Sequence, residues 1–442
     1  MFILIAMDKK SRWLTKPFSA LLAATLLVGL FLGGSLTAAA SGESLEVVSQ
    51  DTQVRFSEGV TFSVAVEGDV DIVEVKLSYR NANGGPWSYT YLDLDPSPRV
   101  ETTFTLDTSG GTYVPPGAAV EYFYTIRDAE GNVKKTDPQT LIYTDTRFEW
   151  QSTTIGPLIL LWHDQPRRRV QALEETLRES IGRVEDLLQI RLEQPMRGVI
   201  YNTRDEASEA FPNLSTTIDE EQIFHGFAFS DWNLFTGVGL SADLITHETT
   251  HLLLHQATIS ARPGIPSWLN EGFASYVEPG SRPASPESLE RLQPREMPLR
   301  TMGAVPGRLS DIGFFYRKSE SVVAYLLETY GEEEFRDFLG RLNQGKRIDD
   351  ALTATYGFDQ NGLERQWLAS PLGESHGEDS EDDGNLFLQL ESAFLGGLVL
   401  LVVTVVAARF LFRRLVTRPR PDLVDDDPDD YFRYPDDYPP NN

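Results

Sequence analysis

The chain has no cysteine and little histidine or positive charge: its 442 residues carry 6 His, and 39 Lys+Arg against 66 Asp+Glu. Without Cys there is no disulfide framework, thiol nucleophile, iron–sulfur cluster or thiolate-held zinc, so any metal must rest on imidazole and carboxylate. The net charge of −27 excludes nucleic acid as a partner, because affinity for a polyphosphate depends on Lys and Arg displacing counterions. Scarcity makes position informative, and three of the six His fall between 247 and 255. What is present suffices for folding. At about 150 residues per domain the length allows two or three domains, and 41% hydrophobic residues can build real cores.

Both ends of the chain point to a membrane. Lys9, Lys10, Arg12 and Lys16 precede an uncharged apolar run from Phe18 to Leu32, and Ala38-Ala39-Ala40 supplies the small residues a signal peptidase reads. Residues 1–40 are therefore expected to be a secretory signal peptide, with the small-residue site favouring cleavage over a retained anchor. A second apolar run, Ser392 to Ala408, extends through Phe410–Phe412 past Arg409, and so reaches the roughly 20 residues that span hydrocarbon. Five arginines from Arg409 to Arg420 crowd its C-terminal side, and only acids precede it between Glu374 and Asp383. A transmembrane helix over 389–412, an acidic linker over 371–388 and a cytoplasmic tail over 413–442 follow from the positive-inside rule. The protein is thus expected to be single-pass in the cell membrane, with residues 41–385 outside the cytoplasm. The tail repeats Pro-Asp-Asp-Tyr at 428–431 and 435–438 and has too few aliphatics to fold.

Between these signals lie two zones. Residues 44–147 alternate apolar and polar positions in short segments, such as Val60–Val66 and Ile72–Tyr79, separated by turn signals at Asn83-Gly84-Gly85-Pro86 and Glu130-Gly131-Asn132. About seven strands with no helical period predict an all-β sandwich of immunoglobulin or fibronectin-III type. It contains no His or Cys and no group of residues suited to catalysis, and is read as a spacer or as a docking module for a surface partner. Residues 150–370 change character. Pro157–Trp162 and Arg197–Tyr201 read as buried strands, and Arg167–Leu192 as a helix with apolar residues at three- and four-residue intervals. Helical patterns then dominate, giving an α+β domain with a mixed sheet early and helices late.

The chemistry is concentrated in two of those helices. His247-Glu248-Thr249-Thr250-His251 places two His four residues apart. Four residues advance about 400° around a helix, so the imidazoles stack one turn above the other and can share a tetrahedral zinc. Glu248 sits on the flank, about 100° from the first His, where its carboxylate would meet water rather than metal, as a general base must. A third ligand must come from elsewhere. A second helical segment, Trp268-Leu269-Asn270-Glu271-Gly272-Phe273-Ala274, begins soon after Pro266 and puts Glu271 20 residues beyond His251. His255, one further turn along the first helix, competes for that place on spacing alone.

The pairing of His-Glu-x-x-His with Trp-Leu-Asn-Glu-Gly-Phe-Ala resembles the gluzincin metallopeptidases, and in detail the M1-type aminopeptidases and the bacterial peptidase MA-like membrane proteins. The resemblance implies a zincin fold holding one Zn2+ per chain through His247, His251 and Glu271, with Glu248 as catalytic base. Tyr316-Arg317-Lys318-Ser319-Glu320-Ser321-Val322 is similar to the family's Tyr-x-Lys-Gly-x-x-Val segment, which makes Tyr316 the donor to the tetrahedral oxyanion; Tyr325 and Tyr330 lie further along the same segment. One departure stands out. Aminopeptidases carry Gly-Ala-Met-Glu-Asn upstream, its Glu holding the substrate's amino terminus, whereas Gly226-Phe227-Ala228-Phe229-Ser230-Asp231 has no Glu here. His163, His225 and His376 are isolated and read as structural. The implied function is a membrane-anchored zinc metallopeptidase acting on a peptide or protein; a non-catalytic surface adhesin on the same scaffold, or a zinc hydrolase of non-peptide substrates, are the alternatives.

Overall fold

The computed structural model describes residues 45–191, 195–212, 226–261, 264–292 and 297–370. The expected signal peptide, acidic linker, span and tail lie outside these residues, as do His225 and His376. Among the described residues no helix is long and apolar enough to cross a membrane.

The N-terminal region is all-β. Strands β1 (Leu45–Arg55), β2 (Gly59–Asn81), β3 (Ser88–Tyr91), β4 (Ser97–Asp107), β5 (Ala118–Asp128), β6 (Val133–Lys135) and β7 (Gln139–Tyr143) form one antiparallel sheet. Period-two alternation drives it: Phe62, Val64 and Val66 are buried while their neighbours stay partly exposed. The sequence reads 60–66 and 72–79 as separate strands, but a single 23-residue strand runs through both. Its register against β4 shifts between Glu67 and Ile72, so the strand bends there instead of breaking. The first half pairs with β1 and β4, the second with β3 and β5. Across the bend Phe62 meets Tyr122 edge to face, with ring centroids 5.0 Å apart. The β-rich region is as expected, but its hydrogen bonding makes one continuous sheet folded over its own core, not two separate sheets. Both predicted turns are present, and Gly84 and Gly131 take φ values of 106° and 88° there, which side chains disfavour.

The second region holds a five-stranded mixed sheet in the order β11-β12-β10-β9-β8, built from β8 (Gln151–Ile155), β9 (Leu158–Trp162), β10 (Met196–Tyr201), β11 (Gly226–Phe229) and β12 (Leu234–Val238). β10 runs parallel to both β9 and β12, while β8 and the edge strand β11 are antiparallel to their neighbours. Helix α1 (Arg167–Leu188) connects β9 to β10. It stops four residues short of the expected end because Gln189 turns left-handed at φ 54° and closes the last turn. The later helices include α2 (Arg204–Ala207), α3 (Ala242–Ala257), α4 (Ser267–Tyr276), α5 (Pro286–Leu292), α6 (Leu309–Tyr330), α7 (Glu332–Asn343), α8 (Ile348–Tyr356) and α9 (Gln360–Leu368).

The two regions share apolar surface. Phe227 and Phe229 of β11 and Leu234 of β12 are buried in the hydrophobic cluster of the first sheet, whereas Ala228 lies in the cluster of the second. The alternation of β11 thus turns two phenylalanines toward one region and small residues toward the other. The Asn83 side chain also donates to the Trp232 carbonyl at 2.6 Å, and Asn81 donates to that of Asp231.

Helices α4 and α6 cross closely. Gly272 faces Ser319 across this crossing, and a methyl group at Gly272 would overlap the Ser319 carbonyl. The missing side chain and the tight crossing predict that Gly272→Ala forces the helices apart. The expected loss is about 1–3 kcal/mol of unfolding free energy, read from the urea midpoint at fixed zinc concentration. An unchanged midpoint would show that α6 can shift freely.

Candidate metal centre

Helix α3 is buried from Ile245 to Leu254, so its polar side chains need partners inside the protein. Thr246 finds Ser180 of α1 at 2.8 Å, and Thr250 turns back to the Thr246 carbonyl at 2.7 Å. His247 Nε2, His251 Nδ1 and Glu248 Oε1 find no such partner. Pro266, extended at φ −70°, starts α4, and Glu271 on its first turns enters the same space.

The structure brings His247, His251 and Glu271 together, with one ligand atom from each all within 4.8 Å of one another. Glu271 Oε2 lies 3.6 Å from His247 Nε2 and 3.5 Å from His251 Nε2. Tetrahedral zinc with bonds near 2.0–2.1 Å separates its ligand atoms by about 3.3 Å, so these spacings fit. The donor chemistry fits as well. His247 Nε2 and Glu271 Oε2 are buried without a hydrogen-bond partner, an arrangement that is costly unless something binds there. His255 is not part of this group among the described residues; burial lowers its pKa, opposed by Asp231.

Three carboxylates are buried around two imidazoles. Burial opposes a charge on His247, but Glu271, Glu278 and Glu248 outweigh it and push its pKa up to about 10. Burial depresses His251 to about 4, despite attraction from Glu271. Glu248 is pushed up to about 8 by burial, with repulsion from Glu271 and Glu278 offsetting the pull of His247. A dication would relieve this excess of buried negative charge and displace the proton from His247 Nε2. Gly226 on β11 lets the backbone lie against Glu248, since a side chain there would overlap the carboxylate.

Tyr316 lies in the body of α6. It is buried, its hydroxyl has no hydrogen-bond partner, and burial together with Glu271 and Glu248 holds its pKa above the ordinary phenol value. Tyr325 and Tyr330 instead face each other at 3.3 Å between hydroxyls, and Tyr330 packs on Tyr356 and Phe358. His163 is fully buried and stacked on Phe148 at 4.1 Å, as a structural histidine should be.

Sequence reasoning missed Glu278. Its Oε1 accepts from His247 Nδ1 at 2.7 Å, which leaves Nε2 to face Glu271. Metal-ligating histidines commonly give their other N–H to a carboxylate; a search for an acid just beyond α4 would have found this one. Glu320 extends the acidic group: it accepts from Ser281 at 2.8 Å, and burial raises it to about 7, with Glu278 adding repulsion.

Residues 176–372 match the sequence model of the Peptidase MA superfamily, and the resemblance to gluzincin metallopeptidases is borne out over that stretch. No curated protein matches the chain. Among solved structures, an aminopeptidase N family protein from Idiomarina loihiensis is 9% identical at a TM-score of 0.33, over 74% of this chain and 76% of that one. The catalytically inactive OgpA of Akkermansia muciniphila, in complex with an O-glycopeptide substrate, is 8% identical at a TM-score of 0.18 over 22% of this chain, which spans only 28% of that protein. A family 56 carbohydrate-binding module that binds β-1,3-glucan is 17% identical at a TM-score of 0.15, over 21% of this chain and 95% of that one. At these TM-scores none of the three assigns a ligand or substrate to this chain.

The hydrogen bond from His247 to Glu278 predicts that Glu278→Gln weakens zinc binding by about 10–100-fold, measured by chelator competition. Glu271→Ala should abolish binding at the same zinc concentration. In Glu278→Gln and in the parent, affinity should fall as pH drops, because a proton must leave His247 before metal can bind. Unchanged affinity in Glu278→Gln would mean that another group orients His247.

Proposed function

We propose that this chain is a membrane-anchored zinc metallopeptidase that hydrolyses peptide bonds outside the cytoplasm. The observation that carries the reading is the ligand set His247, His251 and Glu271, buried and mutually spaced for zinc, with Glu248 beside it but outside the set. Zinc held there would supply Lewis acidity, lowering the pKa of water and polarising a substrate carbonyl. Glu248 would take the proton from the attacking water. Burial, and with it repulsion from neighbouring acids, raises its proton affinity, which suits a group that must accept a proton and return it to the leaving amine. The Tyr316 hydroxyl, buried with no competing partner, would donate to the oxyanion as charge develops.

The edge strand β11 bears on specificity. Phe227 and Phe229 turn away into the first region's core, and the residues turned to the site side are Gly226 and Ala228. β11 therefore offers no carboxylate for a substrate's amino terminus, which favours cleavage that does not depend on a free amine.

Three substitutions test the chemistry. Glu248→Gln should keep zinc and lose turnover, because the base is not a ligand. Tyr316→Phe removes only the hydroxyl and should lower kcat by about 10²–10³ with KM nearly unchanged. Tyr325→Phe should retain activity, its hydroxyl being engaged with Tyr330. If Tyr316→Phe keeps full kcat, the oxyanion donor is another residue. The membrane placement is supported by the arginines that follow residues 392–408 and the acids that precede them. Protease added outside intact cells should remove residues 41–385 and spare the tail; a degraded tail with a protected enzyme domain would reverse the orientation.

A further inference from the structure

The most exposed aromatic side chains of the described residues lie together on one face of the first sheet. Trp87 and, on β3, Tyr89 and Tyr91 occupy alternate positions and so point the same way; Tyr89 is 65% exposed, Tyr91 56% and Trp87 40%. β3 pairs with β2 and β2 with β5, placing Ser78 opposite both Tyr89 and Phe123. Phe123 consequently joins the same surface, and its ring meets Trp87 edge to face at 4.8 Å. A row of rings this exposed has no folding rationale, since each would be more stable covered.

Cations stand among the rings. Lys135 Nζ lies 3.9 Å from the Phe123 centroid and Lys76 Nζ lies 5.8 Å from that of Tyr89. Arg80 stacks over Trp87 at 4.4 Å but is also bound to Glu121 at 2.7 Å. Neither Lys76 nor Lys135 has a carboxylate partner among the described residues. In a chain of net charge −27, two unpaired lysines set among exposed aromatics create a local attraction for anions.

We propose that this face binds an acidic polysaccharide, a chain of uronic-acid pyranoses. A pyranose presents a face of C–H groups, weakly positive, that matches the negative face of an aromatic ring. Its ring hydroxyls can bond the Tyr89 and Tyr91 phenols, and its carboxylates pair with Lys76 and Lys135. A neutral glycan would use the rings and leave the lysines idle; a bilayer would leave the sugar-sized row of rings without purpose. The row starts at Trp87, next to the turn whose Asn83 holds Trp232 of the peptidase region. A polymer bound here is therefore held on a face joined to the second region, which extends the proposed function without depending on it.

The test is affinity electrophoresis of the full-length protein in detergent through gels containing polygalacturonate, with neutral β-glucan gels, an acidic proline-rich peptide and anionic lipid vesicles as the other probes. Polygalacturonate should retard the parent. Tyr89→Ala combined with Tyr91→Ala should weaken this by about tenfold or more. Lys76→Gln combined with Lys135→Gln should weaken it several-fold at low salt and flatten its salt dependence. Both double variants should melt with the parent and cleave a short unglycosylated peptide at its rate, because the residues are exposed and apart from the metal centre; loss of glycan binding with peptide cleavage intact separates this proposal from the catalytic one. Equal retardation by neutral glucan, unaffected by the lysine changes, would overturn the acidic assignment. Binding of the peptide or the vesicles in place of polygalacturonate, or of none of the probes, would overturn the proposal.

Discussion

Desolvated charge at the α3–α4 crossing is the constraint around which the second region is arranged. Glu248 and Glu271 are held out of water with His247 and His251, and Glu278, its side chain 9% exposed, is bonded to His247; removing such groups from water costs several kcal/mol per ion unless each is paired. Within the protein alone the pairing is incomplete, as the unpartnered atoms of His247, Glu248 and Glu271 show. A stable core would replace these groups with Leu or Phe of similar volume. Binding a cation would recover the cost, as the proposed metal-dependent function requires.

Several features remote from the ligands follow from keeping that arrangement rigid. Gly272 brings α6, which carries Tyr316, against α4, which carries Glu271. Gly226 lets the edge strand touch Glu248, and the phenylalanines alternating with it bury that strand in the first region. The β-rich region thus helps fix the edge strand that lies against the Glu248 carboxylate. A substitution in the shared cluster around Phe227 and Phe229 would reach the site through strand position, without touching a ligand.

What the sequence revealed depended on whether an interaction was local. His247, Glu248 and His251 lie within one helical turn and a half, so their relation follows from helix geometry alone. Glu271 needed the resemblance, because spacing could not choose between it and His255. Glu278 was invisible to either argument: it comes after α4 has ended, and only the folded path of the turn at 277–280 returns its carboxylate to His247. In the first region the alternation in β2 was legible on both sides of Glu67–Asp71, yet this acid-rich stretch looked like an interruption. Local pattern cannot distinguish a bend inside a strand from a break between two, since the decision rests with the β4 register across the sheet.

The two regions divide the problem of stability differently. The first has a core of aliphatic and aromatic side chains and can leave one face uncovered, as antiparallel sheets do. The second buries charged groups in the middle of its core and surrounds them with helices, which leaves few positions free to vary. Recognition surfaces are therefore easier to build on the first region than on the second, where every residue near the metal centre already answers to packing and to charge. The exposed aromatic row on β3 and the sealed carboxylates on α3 and α4 are the two outcomes of that division. An edge strand shared between the regions, apolar toward one and small toward the other, connects them.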